Sequence, residues 1–98
     1  MKLRLSDEVR DYLRALAPEP RRKLSAALDA VEAGKQDLEP LEGRLAAYYK
    51  LRERRHRVVC AVRGNTVLAL YADERATVYE VASVALLETI AQRMKPES

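Results

Sequence analysis

The sequence predicts a single α+β domain: a small, twisted, mostly antiparallel sheet of about four strands, with an N-terminal helical hairpin on one face and a C-terminal helix. Two observations carry most of this. Arg57–Val62 (RVVCAV) and Thr66–Ala72 (TVLALYA) are apolar runs dense in β-branched residues, and between them Gly64 and Asn65 can take the positive φ of a tight hairpin turn. Both faces of that hairpin are apolar, so these are central strands that need cover above and below, and the helical patterns at the two ends of the chain can supply it. With Gly64 and Asn65 as the loop, Val62 should face Val67, Cys60 face Ala69 and Val58 face Tyr71 on one side. On the other side, Val59 should face Leu70 and Ala61 face Leu68.

The remaining elements follow in order. Lys2–Leu5 alternates charged and apolar residues as a short edge strand does. Ser6 is an N-cap, with Asp7 and Glu8 in the first turn of a helix whose apolar positions are Val9, Tyr12, Leu13 and Leu16. Pro18 and Pro20 interrupt it, and a second helix from Glu19 carries Leu24, Ala27, Leu28 and Val31 until Gly34 ends it. The segment 35–43 reads as a loop marked by Pro40 and Gly43. Leu45–Arg52 reads as a third strand, with Tyr48, Lys50 and Arg52 on one side and Tyr49 and Leu51 on the other. Asp73 to Arg75 is a turn, and Thr77–Met94 is a C-terminal helix with Val81, Val84, Leu87, Ile90, Ala91 and Met94 as its stripe.

Ninety-eight residues support one core, so residues 1–98 form one domain. The longest uncharged runs, Gly64–Ala72 and Val81–Leu87, are too short to span a membrane, and the N-terminus lacks a continuous apolar segment, so the expected location is the cytoplasm. Cys60 is alone, and its place in a central strand marks it as packing. Charge is unevenly spread. From Arg44 to Arg63 there are seven Lys or Arg against one acid, Glu53, so this stretch carries +6 while the whole chain carries +3. Such a field suits a phosphate-bearing partner or an acidic peptide, although it could equally be a solvated strand face. One histidine and one cysteine cannot build a zinc site, and the sequence has no glycine-rich phosphate loop and no GxSxG turn, so no metal or cofactor is expected.

The run from Tyr48 to Glu80 resembles the core of the RelE/ParE toxin superfamily. The family's Tyr-(Lys/Arg)-Leu-Arg strand is matched by Tyr49–Arg52, its Tyr-Arg-Val-Val-Tyr strand by His56–Cys60, and its closing Arg-x-x-Val-Tyr by Arg75–Tyr79. The preceding helical hairpin and the loop ending in Leu41-Glu42-Gly43 fit the same plan. Three departures stand out: His56 and Cys60 replace family tyrosines, Arg54-Arg55 replaces a Gly-containing turn, and Asp73 and Glu74 put two acids before Arg75.

The resemblance implies a toxin of a type II toxin–antitoxin pair: a ribosome-dependent, metal-free messenger-RNA endoribonuclease in which a ribose 2′-hydroxyl attacks the adjacent phosphate to leave a cyclic phosphate. It implies an acidic, partly disordered antitoxin, the ribosome and mRNA as partners, and a toxin–antitoxin hetero-oligomer. By the same resemblance the catalytic set is Lys50 and Arg52 for phosphate positioning and acid–base work, Arg57 for transition-state charge, Arg75 for leaving-group support, and Tyr79 as base or stacking platform. Arg44, Arg54, Arg55, His56 and Arg63 would bind RNA. A ParE-like gyrase inhibitor and a non-enzymatic basic binding module are the alternatives. At the residue level, Arg57 is either a site arginine or an ion-pair partner of Asp73, and Tyr79 either a site phenol or a core aromatic.

Overall fold

The computed structural model describes residues 1–75 and 77–94. Five strands form one sheet in the order β1-β5-β4-β3-β2: β1 (Lys2–Leu5), β2 (Glu39–Pro40), β3 (Tyr49–Glu53), β4 (His56–Arg63) and β5 (Thr66–Glu74). Only β1 runs parallel to its neighbour β5; the other pairs are antiparallel. The α+β architecture is therefore as expected, with one strand more than the expected four. The extra strand is β2, two residues of the expected 35–43 loop that pair with Lys50 and Tyr49.

Helices α1 (Asp7–Ala15) and α2 (Pro18–Glu32) cover one face of the sheet. Ser6 caps α1 as expected, its hydroxyl oxygen accepting from the Val9 N–H at 3.0 Å. Pro18 opens α2 at a position where its missing N–H costs nothing. Val9, Leu24, Ala27, Leu28 and Val31 from these helices pack with Leu51, Val58, Cys60, Val67 and Ala69 from the sheet. Each fully buried aliphatic side chain here contributes about 1.5–3 kcal/mol.

The opposite face is covered by α3 (Thr77–Val81) and α4 (Val84–Arg93). These replace the single expected C-terminal helix. The break falls at Ala82–Ser83, where Ser83 caps α4 by accepting from the Leu86 N–H at 3.1 Å. The break rephases the stripe: Val78, Ala82, Leu87 and Ile90 are buried against Val59, Ala61, Leu68 and Leu70, while Val81, expected in the core, is exposed. Tyr48 joins this cluster and Tyr49 the other, as the strand alternation requires. The third strand begins at Tyr49, not Leu45, because Gly43–Leu45 winds into a short 3-10 turn. The expected turn at Asp73–Glu74 is still strand, and β5 ends only at Glu74.

The β4–β5 register also departs from expectation. Val62–Val67, Ala61–Leu68 and Cys60–Ala69 pair as expected, but Val59 then faces Tyr71 and Val58 faces Ala72. Leu70 is the extra residue of a bulge, so Leu70 and Tyr71 both join the α3–α4 side. The Ser6 hydroxyl donates to the Leu70 carbonyl at 2.7 Å, tying this irregularity to the start of α1. At the sheet's β1 edge the Glu32 carboxylate accepts from the Leu3 N–H at 2.9 Å, occupying a donor that would otherwise template another strand.

One buried hydroxyl thus serves as both helix cap and partner to the bulge. Ser6→Ala should lower unfolding free energy by about 2 kcal/mol in a denaturant titration, the loss of a cap plus an unsatisfied buried carbonyl.

Candidate functional site

The free end of the β3–β4 hairpin sorts its charges by strand alternation. Leu51 and Val58 lie under the α1–α2 hairpin, so Lys50, Arg52 and Arg57 project to the α3 side. Two cross-strand rows result. Arg52, Arg57 and Asp73 are register partners on the α3 side, while Glu53, His56 and Glu74 form the adjacent row on the α1 side. Two arginines placed side by side repel each other, an arrangement that disfavours folding on its own and suits a site that binds an anion.

Tyr79 stands over this basic row on α3. Burial pushes its phenol above the usual tyrosine value; Arg57 pulls it down, Glu39 pushes it up and Arg52 pulls it down, with the net effect upward. The phenol is therefore protonated and available as a proton donor, which disfavours the role of base. Its oxygen is shielded from solvent and has no hydrogen-bond partner among the described residues. A buried hydroxyl left without a partner is costly in a structure and uncommon away from functional sites.

Arg57 spends one terminal nitrogen on the β3–β4 turn, donating to the carbonyls of Arg54 and His56. It forms no ion pair with Asp73 among the described residues. Asp73 instead accepts from the Glu74 N–H at 2.8 Å, and Glu74 pairs with Arg55 at 3.4 Å. Asp73, the alternative ion-pair partner of Arg57, and Glu74 are thus engaged elsewhere. Lys50 has a partner, the Glu39 carboxylate on β2, at 3.8 Å. Arg75 follows β5 directly, is exposed, and takes a left-handed φ of +50° with its N–H bonded to the Arg55 carbonyl.

The expected RNA-binding residues scatter. His56 is 4% exposed under α1, where its Nδ1 and the Tyr12 hydroxyl share a hydrogen bond of 2.6 Å. Burial first, then the charges of Glu74 and Asp73, push Tyr12 up to about 12 against the opposing pull of Arg55. His56 is thus packed beneath α1, because its strand parity puts it on the face opposite Arg57. Arg54 and Arg55 line a hollow of about 440 Å³ on that same side, together with Glu19, Lys23 and Glu53. Arg44 caps α3, its guanidinium donating to the carbonyls of Tyr79 at 2.8 Å and Ala82 at 3.1 Å. Arg63 lies six residues along β4 from Arg57, about 20 Å away. There it borders a hollow of about 880 Å³ between the β1–β5 edge and α4.

The structure therefore gathers Lys50, Arg52, Arg57 and Tyr79 on one side, with Arg44 there as the cap of α3, places Arg75 just past the strand that pairs with Arg57, and leaves Arg54, Arg55, His56 and Arg63 elsewhere. Two contributors were not anticipated, Glu39 and the capping role of Arg44. Both depend on a backbone geometry that the 35–48 segment does not advertise in its residues. Cys60 is buried in the sheet, its thiol pushed up to about 12 by burial, which agrees with a packing role. Among the described residues, no group of three or more His, Cys, Asp or Glu could hold a metal ion, and no helix is long and apolar enough to cross a membrane.

Solved structures share this arrangement of strands and helices. A chain of the toxin–antitoxin complex RelBE2 from Mycobacterium tuberculosis superposes with a TM-score of 0.64 at 22% identity, over 76% of this chain and 96% of that one. The isolated E. coli RelE toxin superposes with a TM-score of 0.62 at 19% identity, over 96% of this chain and 98% of its own. The fold is that of the RelE toxins. A double arginine-to-alanine mutant of E. coli RelE in the free state superposes with a TM-score of 0.60 at 18% identity, over 96% and 97%. No protein-family model and no curated protein sequence matches the chain.

The RelE fold here places a phenol within the field of two arginines, which gives a titration test. Arg57→Ala removes the larger of the two charges pulling the Tyr79 phenol down, so the Tyr79 ring should titrate higher still when followed by carbon NMR of labelled tyrosine. An unchanged or lower midpoint would place Arg57 away from Tyr79. Arg44→Ala should cost about 2 kcal/mol of stability in denaturant, because two helix-end carbonyls lose a charged donor.

Proposed function

We propose that the chain is the toxin of a type II toxin–antitoxin pair and acts as a ribosome-dependent messenger-RNA endoribonuclease. The observation that carries this reading is the cross-strand pair Arg52–Arg57 facing the same side as an unpartnered, protonated Tyr79. In such a cleavage the RNA supplies its own nucleophile, the ribose 2′-hydroxyl. The protein must then hold the phosphate in line, neutralise the charge that builds on its oxygens, and protonate the departing 5′-oxygen. Lys50 and Arg52 hold the phosphate, Arg57 faces the developing charge with the N–H groups not spent on the turn, and Arg75 supports the leaving group. Tyr79 donates the proton.

A toxin of this kind works where mRNA is translated, in the cytoplasm, and is held inactive by a cognate antitoxin. The RelBE2 neighbour is itself described as a toxin–antitoxin complex. An acidic antitoxin segment would neutralise the +6 stretch between Arg44 and Arg63. A gyrase-binding, non-cleaving toxin is the second reading, favoured by the Glu39 carboxylate that partly neutralises Lys50. Messenger-RNA cleavage in a translating extract supports the first reading, and inhibition of supercoiling without cleavage supports the second.

Arg57→Ala and Arg75→Ala should each slow mRNA cleavage about 10²-fold or more and relieve growth arrest on induced expression, by loss of preorganised charge at the phosphate. Arg75 is exposed, so Arg75→Ala should change unfolding free energy by no more than about 0.5 kcal/mol, whereas Arg57→Ala also takes a charged donor from two turn carbonyls and should cost about 1–2 kcal/mol while leaving the fold intact. Full growth arrest by both variants would remove these residues from the site.

A further inference from the structure

We propose that Asp73 chooses the nucleobase beside the scissile phosphate, accepting hydrogen bonds from the pairing edge of a guanine; the role rests on the cleavage reading above and names the RNA it prefers. The row that meets the phosphate ends in an acid. Asp73 is the register partner of Arg57, which is in turn the partner of Arg52, so a carboxylate closes a row that otherwise gathers positive charge. Its neighbours on β5 fix its side: Ala72 packs into the α1–α2 cluster and Tyr71 into the α3–α4 cluster, which leaves Asp73 on the α3 side with Arg57. Adjacent strands lie about 5 Å apart, so a phosphate held by Arg52 and Arg57 has this carboxylate as a near neighbour.

A carboxylate in that place repels a phosphate, and it helps a ligand only by accepting hydrogen bonds from it. Asp73 has room to do so. Arg57 donates to the turn carbonyls of Arg54 and His56, and Arg55 pairs with Glu74, so neither guanidinium neutralises Asp73. One Asp73 oxygen accepts from the Glu74 N–H at 2.8 Å, and a carboxylate with one such bond keeps lone pairs on both oxygens. That bond also holds the side chain in place, so accepting from a ligand costs little further ordering.

Tyr71 supplies a floor for the base. It lies two residues before Asp73 on the same side and is half-buried against the α3–α4 cluster. Its phenol is pushed above the usual tyrosine value by burial first and then by the charges of Asp73 and Glu8, which puts its hydroxyl end in the field of the carboxylate. A ring held this way carries a stacked base whatever its sequence. The choice among bases then falls to Asp73. Guanine shows an acceptor two adjacent donors, N1–H and the N2 amino group, which match the two oxygens of a carboxylate. Adenine and cytosine each show one amino group beside an acceptor nitrogen, and uracil shows N3–H between two carbonyls that a carboxylate repels.

The test is single-turnover cleavage of ribosome-bound mRNAs that differ only in the bases flanking the scissile phosphate, by the purified wild type and Asp73→Asn. Inosine, which keeps N1–H and lacks the amino group, is included as a fifth base. Wild type should cut the guanine message about 10–100-fold faster than the uracil message, with inosine between them. Asp73→Asn exchanges an acceptor oxygen for an amide donor, so it should narrow the guanine-to-uracil ratio to within about threefold and cut guanine and inosine messages at similar rates. A wild type that is indifferent to the flanking base or favours one other than guanine overturns this inference and leaves the cleavage reading standing. So does a preference unchanged in Asp73→Asn, or a loss of rate spread evenly over all five bases. Wild type that leaves every message intact in the ribosome overturns the cleavage reading and this inference with it.

Discussion

The two-residue period of β3 and β4, set by burial, decides which charges meet. Leu51 and Val58 must face α1 and α2, and once they do, Arg52 and Arg57 have no choice of side. The energetics are lopsided. Burying those aliphatic groups contributes a few kcal/mol, whereas placing two guanidinium groups in adjacent register costs only a fraction of that at a solvated sheet end. The core therefore overrides the repulsion, and the repulsion becomes available to an anionic ligand. The same parity carries Glu53, His56 and Glu74 to the other face, so that a chain with bases and acids interleaved in sequence presents them separated in space.

The helices close the arrangement from both sides. The α3–α4 layer is fixed by its apolar contacts to Val59, Ala61, Leu68 and Leu70, and its far end is tied across the sheet's β1 edge by two polar links. Arg93 pairs with Glu8 of α1, and Arg4 of β1 donates to the Met94 carbonyl. Its near end is held by Arg44, which caps the short helix bearing Tyr79. A five-residue helix has little stability of its own, so the position of Tyr79 depends on Val78 in the core and on this cap. The position of the Tyr79 ring is thus linked to a residue outside the Arg52–Arg57 row.

Much of the fold was legible because it followed from local patterns. The β4–β5 hairpin, the Ser6 cap, the α1–α2 hairpin and the opposite facing of Tyr48 and Tyr49 all follow from periodicity and turn chemistry. What was missed depends on contacts distant in sequence. The bulge at Leu70 carries no glycine to mark it, and it is tied to Ser6, sixty-four residues away. Strand β2 is too short for any pattern and exists through its pairing with β3. The break before Ser83 was concealed by an apolar stripe that fits one helix as well as two. Charge counting marked the basic stretch but could not divide it by face. Arg44, Arg54, Arg55, His56 and Arg63 share the basic segment with Arg52 and Arg57 and yet lie in four different surroundings. Lys50, Arg52 and Arg57 share a side because the strand period places them there, and Tyr79 joins them from α3.

The central claim is that the α3 side of the open sheet end is the face that meets RNA phosphates. It is tested most directly by an NMR titration of the labelled protein at low salt with a short oligoribonucleotide whose reactive 2′-hydroxyl is replaced by hydrogen. The account predicts that the Arg52 and Arg57 side-chain resonances and the Tyr79 ring shift together and that the shifts collapse with added salt, while the Tyr12 and His56 rings stay in place. Shifts centred on Tyr12, His56 and the Arg54–Arg55 hollow, with Arg57 and Tyr79 unmoved, would contradict it.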